Sequence, residues 1–433
     1  MADLLLKLGA LDLSEFVGMQ KDDGFDPVDV DYTEPQFSSS PLREGAQLVG
    51  HTVGLREMAW PLKLSAPSKD ALHATVVELN REHRSGETRV EWRDKGATVS
   101  TYYDAEAVRF EPDFHYWRGQ ANRLNGVLRV WVQPHGHTGA ERLIASGTST
   151  TGPGNIGNHV AVATIPPGTI AGDVPALMRA QATSISWPAR DMAFAVLPPG
   201  YTPQIGAAAL EPLNGATLLE SQPLAALGRW LRMGVNTTGV LMCRIPVSAA
   251  HVGRNRVICF ANTAHAAGRN VSLVLADAKT NAIILASGTV IAGQSGWQAI
   301  DLGVVEITND LIASDPRIAV AVSTPLAGVT ADVRITDFVF LPEDSTHITS
   351  WRAAPGTQKQ AIADGIRERS RWTDAVGAFE YDATGDSRGA IPKLPPGAGG
   401  VVALAMDVTN LARNANDTLT VTVWAREQFK FAR

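Results

Sequence analysis

The sequence predicts a mainly β protein whose first third carries one helix packed on an antiparallel sheet. Three observations support that expectation. Turn formers are abundant, with 39 Gly and 25 Pro in 433 residues, and only 19% of the chain is charged; many short apolar runs are cut off by turn residues. In residues 55–64, Met58, Trp60, Leu62 and Leu64 alternate with Glu57, Ala59, Pro61 and Lys63, the period of a half-buried strand. Between about 210 and 345, eight strand-like runs follow one another with no helical period between them, the pattern of a two-sheet sandwich of jelly-roll type. A chain of this length exceeds one ordinary core, and two to four domains are expected.

The first unit runs from residue 1 to about 135. Its opening, Met1-Ala-Asp-Leu-Leu-Leu-Lys-Leu-Gly9, carries early charge and lacks the order of a signal peptide; it reads as a strand or a docking arm. Residues 1–34 hold nine acids against Lys7 and Lys21, a balance of −7, so the other 399 residues sum to about +1 of the chain's −6. This leader is either a solvated segment or an acidic surface that meets a partner. Its apolar Leu4, Leu5, Leu6, Leu8, Leu11, Leu13, Phe16 and Phe25 need a covering surface, expected on neighbouring subunits or tail partners, and deletion of residues 2–25 is expected to leave a folded protein that fails to assemble. After the 55–64 strand, Ser68 is placed to cap a helix with Asp70 in its first turn and Leu72, Val76 and Leu79 on one face. Strands are expected at 89–92, 99–103 and 127–132. In the last, Leu128, Val130 and Val132 share one face while Arg129 and Trp131 stand on the other. Such large side chains on a nominally outer face suggest a subunit contact.

Beyond it, residues 146–155 form a turn-rich link. Strands are expected at 159–165, 176–183 and 192–197. In the middle sandwich they are expected at 230–235, 240–247, 256–261, 271–275, 282–286, 297–302, 317–322 and 333–341, with 277–281 as a hairpin loop. Residues 358–369 are expected as one short helix, and β signals return at 400–406 and 419–424. No apolar run approaches the ~20 residues of a membrane span. Cys243 and Cys259 lack CxxC spacing and read as two buried thiols rather than a disulfide.

Motifs that would carry chemistry are weak. Gly152-Pro-Gly154-Asn-Ile-Gly157 matches GxGxxG in letters, but Ser/Thr residues precede it and a β pattern follows. The dinucleotide motif needs a strand before it and a helix amino end after it, so this is a loop. His135-Gly-His137 places two imidazoles on one strand face with only Glu141 near, too few ligands for a metal. There is no GxSxG elbow and no cysteine in an activating context. Glu211, Glu220, Asp301 and Glu306 read as turn and surface acids rather than a glycosidase pair. Asp301 could instead serve Ca²⁺ or sugar hydroxyls, and Trp230, Trp297 and Trp351 could supply stacking planes for carbohydrate; core or interface positions are the favoured reading of these tryptophans. Nothing resembles a basic nucleic-acid-binding face. The chain is expected not to be an enzyme, with no catalytic residue, metal or cofactor.

Taken in order, several segments resemble the distal tail proteins of siphovirus-type bacteriophages, most closely the minor tail proteins of actinobacterial phages. Arg56-Glu-Met-Ala-Trp-Pro-Leu-Lys-Leu64 leading into Ser68-Lys-Asp-Ala-Leu-His-Ala-Thr-Val-Val-Glu-Leu-Asn-Arg81 resembles the strand-then-helix of that family's ring domain. Asn155-Ile-Gly-Asn158 and Gly172-Asp-Val-Pro-Ala-Leu177 resemble the opening of its galectin-like domain. Leu394-Pro-Pro-Gly397, Leu419-Thr-Val-Thr-Val-Trp424 and Phe429-Lys-Phe-Ala-Arg433 resemble that domain's end. The middle, from Gly228-Arg-Trp-Leu-Arg-Met233 through Trp297-Gln-Ala-Ile-Asp-Leu-Gly303 to Asp337-Phe-Val-Phe-Leu-Pro342, looks like a carbohydrate-binding-module jelly roll.

The resemblance implies a tail-tube-like ring domain at 1–135 and a galectin-like sandwich at 136–204 and 346–433, with a jelly roll at 205–345 inserted in it. It implies a structural virion protein, assembled in the host cytoplasm. Six copies would form a ring joining the tail tube protein to the tip or hub protein, with a channel through which DNA passes without specific binding. The alternative is a tail adhesin that binds a host cell-surface glycan through Trp230, Trp297 and Asp301. Arg129, Trp131, Leu5 and Phe16 are the expected subunit contacts.

Overall fold

A computed structural model describes residues 5–16, 33–39, 46–53, 55–82, 88–93, 96–113, 122–133, 135–149, 159–184, 191–198, 201–219, 229–235, 239–264, 270–291, 298–323, 331–350, 358–374, 380–397, 400–406 and 419–429. The protein is mainly β. It divides into two compact units, one of residues 1–141, 172–175 and 426–433, the other of 142–171 and 176–425.

In the first unit, alternation builds the sheet. Strand Arg56–Ser65 turns Met58, Trp60, Leu62 and Leu64 inward and pairs along its whole length with Arg123–Val132. Gly126 faces inward where a Cβ would stand 2.6 Å from both the Phe110 ring and the Glu111 carbonyl; only glycine lets that ring close over the core. The twelve-residue strand Thr101–Pro112 turns a corner. Its first part pairs with Arg89–Arg93 and its second with Arg123–Val132, with a register shift between Ala105 and Ala107. A bulge is the usual device for bending a strand from one sheet into the next.

Helix Lys69–Glu82 begins as its sequence requires, with the Ala71 amide donating to Ser68 Oγ at 3.1 Å. Leu72 and Leu79 enter a core that also holds Trp60 and Trp92, their rings 6.0 Å apart. The leader departs from expectation. Strand Leu5–Leu8 pairs with Arg89–Arg93, and Leu6, Leu8 and Leu13 lie in this same core. Leu6, Leu8 and Leu13 are therefore covered by their own chain rather than by a neighbour. Removing them would open this core, so the expectation of an intact fold after deletion does not stand. Leu4 and Phe25 lie outside the described residues.

The second unit stacks its sheets. One contains Arg142–Thr148, the 419–425 part of Leu419–Phe429, the 176–184 part of Val174–Ser184, Gln358–Asp364, Arg369–Asp374 and Glu380–Asp382. A second contains Val160–Thr164, Gly400–Met406, Asp191–Leu197 and Thr346–Ser350. Between residues 204 and 342 the strands pair among themselves. Thr217–Leu219, Trp230–Val235, Ala331–Pro342, Gly253–Ala264 and Gln298–Ile307 form one sheet, with Gln204–Gly206 on Ala331–Pro342; Glu211–Pro212, Val240–Pro246, Arg317–Ser323, Asn270–Asp277 and Ile283–Ile291 form the other. Cys243 and Cys259 are buried free thiols in the core between these two sheets. Residues 277–281 make the expected hairpin loop, Asp277 Oδ1 accepting from the amides of Lys279 and Thr280.

Strand Asp191–Leu197 is buried on both faces. Met192, Phe194 and Val196 enter one core, while Ala193, Ala195 and Leu197 pack against Ile258, Phe260, Val339 and Leu341 of the 204–342 sandwich. At about 1.5–3 kcal/mol per large aliphatic side chain, this second layer contributes on the order of 10 kcal/mol. Inside it, His159 Nε2 lies 2.9 Å from Asp337 Oδ2, and both side chains are fully buried. A bulge aims Asp337 there. Phe260 pairs with Asp337 but Ala261 pairs with Ile335, leaving Thr336 extra. Before the bulge Val333 and Ile335 face the internal core; after it Phe338 and Phe340 do, and Asp337, Val339 and Leu341 face the layer between sandwiches. Burial opposes the charge on Asp337, but His159 beside it, Thr336 and the Gln204 amide (2.7 Å) outweigh that and hold its carboxyl below the usual range.

Two assignments change. Residues 358–369 are not a helix but strand Gln358–Asp364, a turn, and the start of Arg369–Asp374. Ala361 and Ala363 point into the core with period two, and Asp364 Oδ1 caps the turn by accepting from the Ile366 and Arg367 amides. The 204–342 region also holds a short helix, Asn309–Ser314, capped by Thr308 Oγ1.

Removing one partner of a buried ion pair strands the other, which typically costs about 3–5 kcal/mol. Asp337→Ala should destabilise the protein by about that amount in urea unfolding, and His159→Ala added to it should cost far less than it does alone. Strictly additive losses would mean the two groups are not coupled.

Candidate functional site

The outer face of the Arg56–Ser65, Arg123–Val132 and Thr101–Pro112 sheet carries the residues singled out for subunit contact. Register places Arg129 between Ala59 and Arg109, and Trp131 between Glu57 and Ala107. Arg129 donates to Glu57 Oε1 through Nη1 and to Glu111 Oε2 through Nε at 3.1 Å. Trp131 is half-buried beside this network. The face thus combines small or apolar positions (Ala59, Pro61, Ala107, Val127) with an arginine held flat by two carboxylates. Leu5 is half-buried opposite Arg93, and Phe16 ends the 3-10 turn Ser14–Phe16; neither lies on this sheet face.

A polar cluster marks the corner of the bent strand. Asp104 accepts from Arg89 Nε at 3.1 Å and Arg426 Nη1 at 3.0 Å, and His137 Nε2 lies 3.3 Å away. His137 Nδ1 accepts from the Gly139 amide at 3.0 Å, so the neutral ring donates through Nε2. Burial opposes the charge on Asp104, yet His137, Arg426 and Arg89 hold its carboxyl down at about 2. Of the His135-Gly-His137 pair, His137 is thus engaged with Asp104. Among the described residues no group of His, Cys, Asp and Glu is arranged to hold a metal ion.

Of the candidate carbohydrate contacts, Trp230 and Asp301 lie among the described residues, on strands of one sheet with two strands between them. Trp230 opens strand Trp230–Val235, half-buried, with the Arg334 guanidinium 5.2 Å above its ring. Asp301 accepts from Arg256 Nη1 and the Gly303 amide, with Arg388 at 3.8 Å. Trp297, Trp351, Glu220 and the 152–157 glycines lie outside the described residues. Glu211 is likewise committed, to Arg244 and Arg317. The sequence did not point to a cavity of about 370 Å³ lined by His347, Ser370, Thr384 and Ser387. His347 and Ser370 come from different sheets and are 23 positions apart, so no local spacing announces them.

No family model matches this chain, and no curated protein matches it. Among solved structures it is similar to the SPP1 Dit (gp 19.1) protein, described as a paradigm of the hub adsorption apparatus in Gram-positive infecting phages. That alignment has 11% identity and a TM-score of 0.28, over 78% of this chain and 99% of that one. It is similar also to the phage p2 baseplate in its activated conformation with Sr, at 8% identity and a TM-score of 0.24, over 77% of this chain and 98% of that one. Both likenesses are too loose to assign a role. Among the described residues no helix is long and apolar enough to cross a membrane.

Burial holds His137, His251 and His347 below the ordinary imidazole range. The unfolded chain therefore takes up protons first, and their contribution, complete above about pH 6.5, is lost as pH falls through the folded-state values. Asp104 should keep contributing until about pH 4 and fail between there and about 2. Unfolding free energy measured against pH should fall steadily below 6.5; a flat profile down to pH 4 would refute the histidine assignment.

Proposed function

We propose that the chain is a structural subunit of a phage tail, a distal tail protein forming a six-fold ring between the tail tube and the tip and leaving a channel for DNA. The ordered sequence motifs support this reading, and one structural observation carries it: the outer face of the first unit's sheet. Its central strand displays Trp131 and an Arg129 pinned by Glu57 and Glu111, with Ala59, Ala107 and the exposed Arg109 beside them. Aromatic residues and arginines are enriched where subunits meet. A second copy is the occupant we assign to this face, and repetition around an axis closes the ring. Strand Arg56–Ser65, which pairs only with Arg123–Val132 among the described residues, would be protected by such closure.

Trp131→Glu should leave unfolding unchanged within about 1 kcal/mol and abolish assembly. Electron microscopy of the parent particle should show six copies of this chain between tube and tip. Three copies, or a position elsewhere in the particle, would sink the proposal.

A further inference from the structure

The cavity between the two sheets of the 142–197/346–425 sandwich has the features of a built site. Backbone bonds fix its walls. Arg388 and Ile348 exchange hydrogen bonds at 2.8 and 2.9 Å, Leu394 and Ala176 do the same, and the Gly365 amide donates to the Met178 carbonyl at 2.8 Å. Gly389, at φ +78°, comes so close to the neighbouring strand that a Cβ would lie 2.2 Å from the Thr346 carbonyl oxygen. That approach brings the Gly389 carbonyl to His347. Glu368 at the rim is held at φ +52°, a conformation uncommon for residues other than Gly, Asn and Asp. The volume, about 370 Å³, lies in the range of small-molecule pockets.

The hydrogen bonds on its floor select the ligand's chemistry. His347 Nδ1 lies 2.7 Å from the Gly389 carbonyl, so it must donate there, and Nε2, 2.6 Å from Ser370 Oγ, must accept. The Ser370 hydroxyl hydrogen is thereby used, and its oxygen is left only acceptor capacity. Ser387 donates to the Ala383 carbonyl at 2.7 Å and is in the same position. A ligand must therefore bring donors. An anion would meet lone pairs, with Lys393 the one cationic side chain in the lining; a cation would find no buried carboxylate. Leu177, Met178, Ile391 and Pro392 supply an apolar wall. Several hydroxyls on one side and a C–H surface on the other are what this lining fits.

We propose that the cavity binds a neutral pyranose sugar, with Ser370 and Ser387 accepting from ligand hydroxyls and His347 holding Ser370 in its accepting orientation. This site is separate from Trp230 and Asp301, and it stands whether or not the protein forms a tail ring.

The full-length protein should be titrated with methyl glycosides of glucose, galactose, N-acetylglucosamine and rhamnose, followed by saturation-transfer NMR and calorimetry. At least one should bind with a dissociation constant of about 1 mM or below. Ser370→Ala should weaken it roughly tenfold. Ile391→Trp, which fills the cavity from its wall, should abolish binding, while Trp230→Ala should leave it unchanged. If Ser370→Ala fails to fold, Ser387→Ala and Ile391→Trp carry the test. No binding at about 20 mM of any glycoside, binding that survives Ile391→Trp, or inorganic phosphate competing at the same place would overturn the proposal.

Discussion

The larger unit depends on two neighbouring strands that have no solvent face. Strands Gly400–Met406 and Asp191–Leu197 give alternate residues to two different cores. Asp191–Leu197 and Gly400–Met406 accordingly read as nearly unbroken apolar runs rather than alternating ones, the signature of strands covered on both sides. The 204–342 sandwich is fixed to their sheet by an apolar layer that also holds the His159–Asp337 pair. Apolar burial supplies the attraction. The pair of His159 and Asp337 adds little net energy, but it penalises any sliding of the layer that would separate two buried charges.

The first unit solves a different problem. Its bent strand serves two sheets, and the bulge at Ala105–Ala107 sits beside the carboxylate that gathers Arg89, His137 and Arg426. Charge compensation at the corner frees the flat part of the sheet, where Arg129 and Trp131 stand, to be a surface rather than a core. Three histidines follow one rule, unlike His159. His137, His251 and His347 each use both ring nitrogens while neutral, as hydrogen-bonding spacers in tight places.

Much of this was legible in the sequence. Ser68 marked the helix start because capping is a local interaction. Strands 230–235 and 400–406 were bounded correctly because their flanks hold turn formers. Residues 358–369 misled because glutamine, alanine and arginine suit helices, while the deciding facts are a partner strand at 174–184 and the Asp364 turn. The leader misled for a related reason. Its apolar residues asked for cover, and nothing local showed that the cover was strand Arg89–Arg93 and the core behind it. The His347–Ser370 floor could not be read at all, since the loop that brings Gly389 to it is placed by long-range backbone bridges.

The extra residue at Thr336 makes strand Ala331–Pro342 work like a message with a reading frame. Letters before the bulge are addressed to one core in odd positions, letters after it in even ones. Side chains along the strand can therefore drift by substitution, provided size and polarity are kept. Its length cannot. Losing a single residue between Ile335 and Phe338 would send Asp337's successors to the wrong addresses, exchanging the phenylalanines meant for the sandwich interior with the aliphatics meant for the layer outside it. Variation in this strand should accordingly be free in spelling and fixed in count.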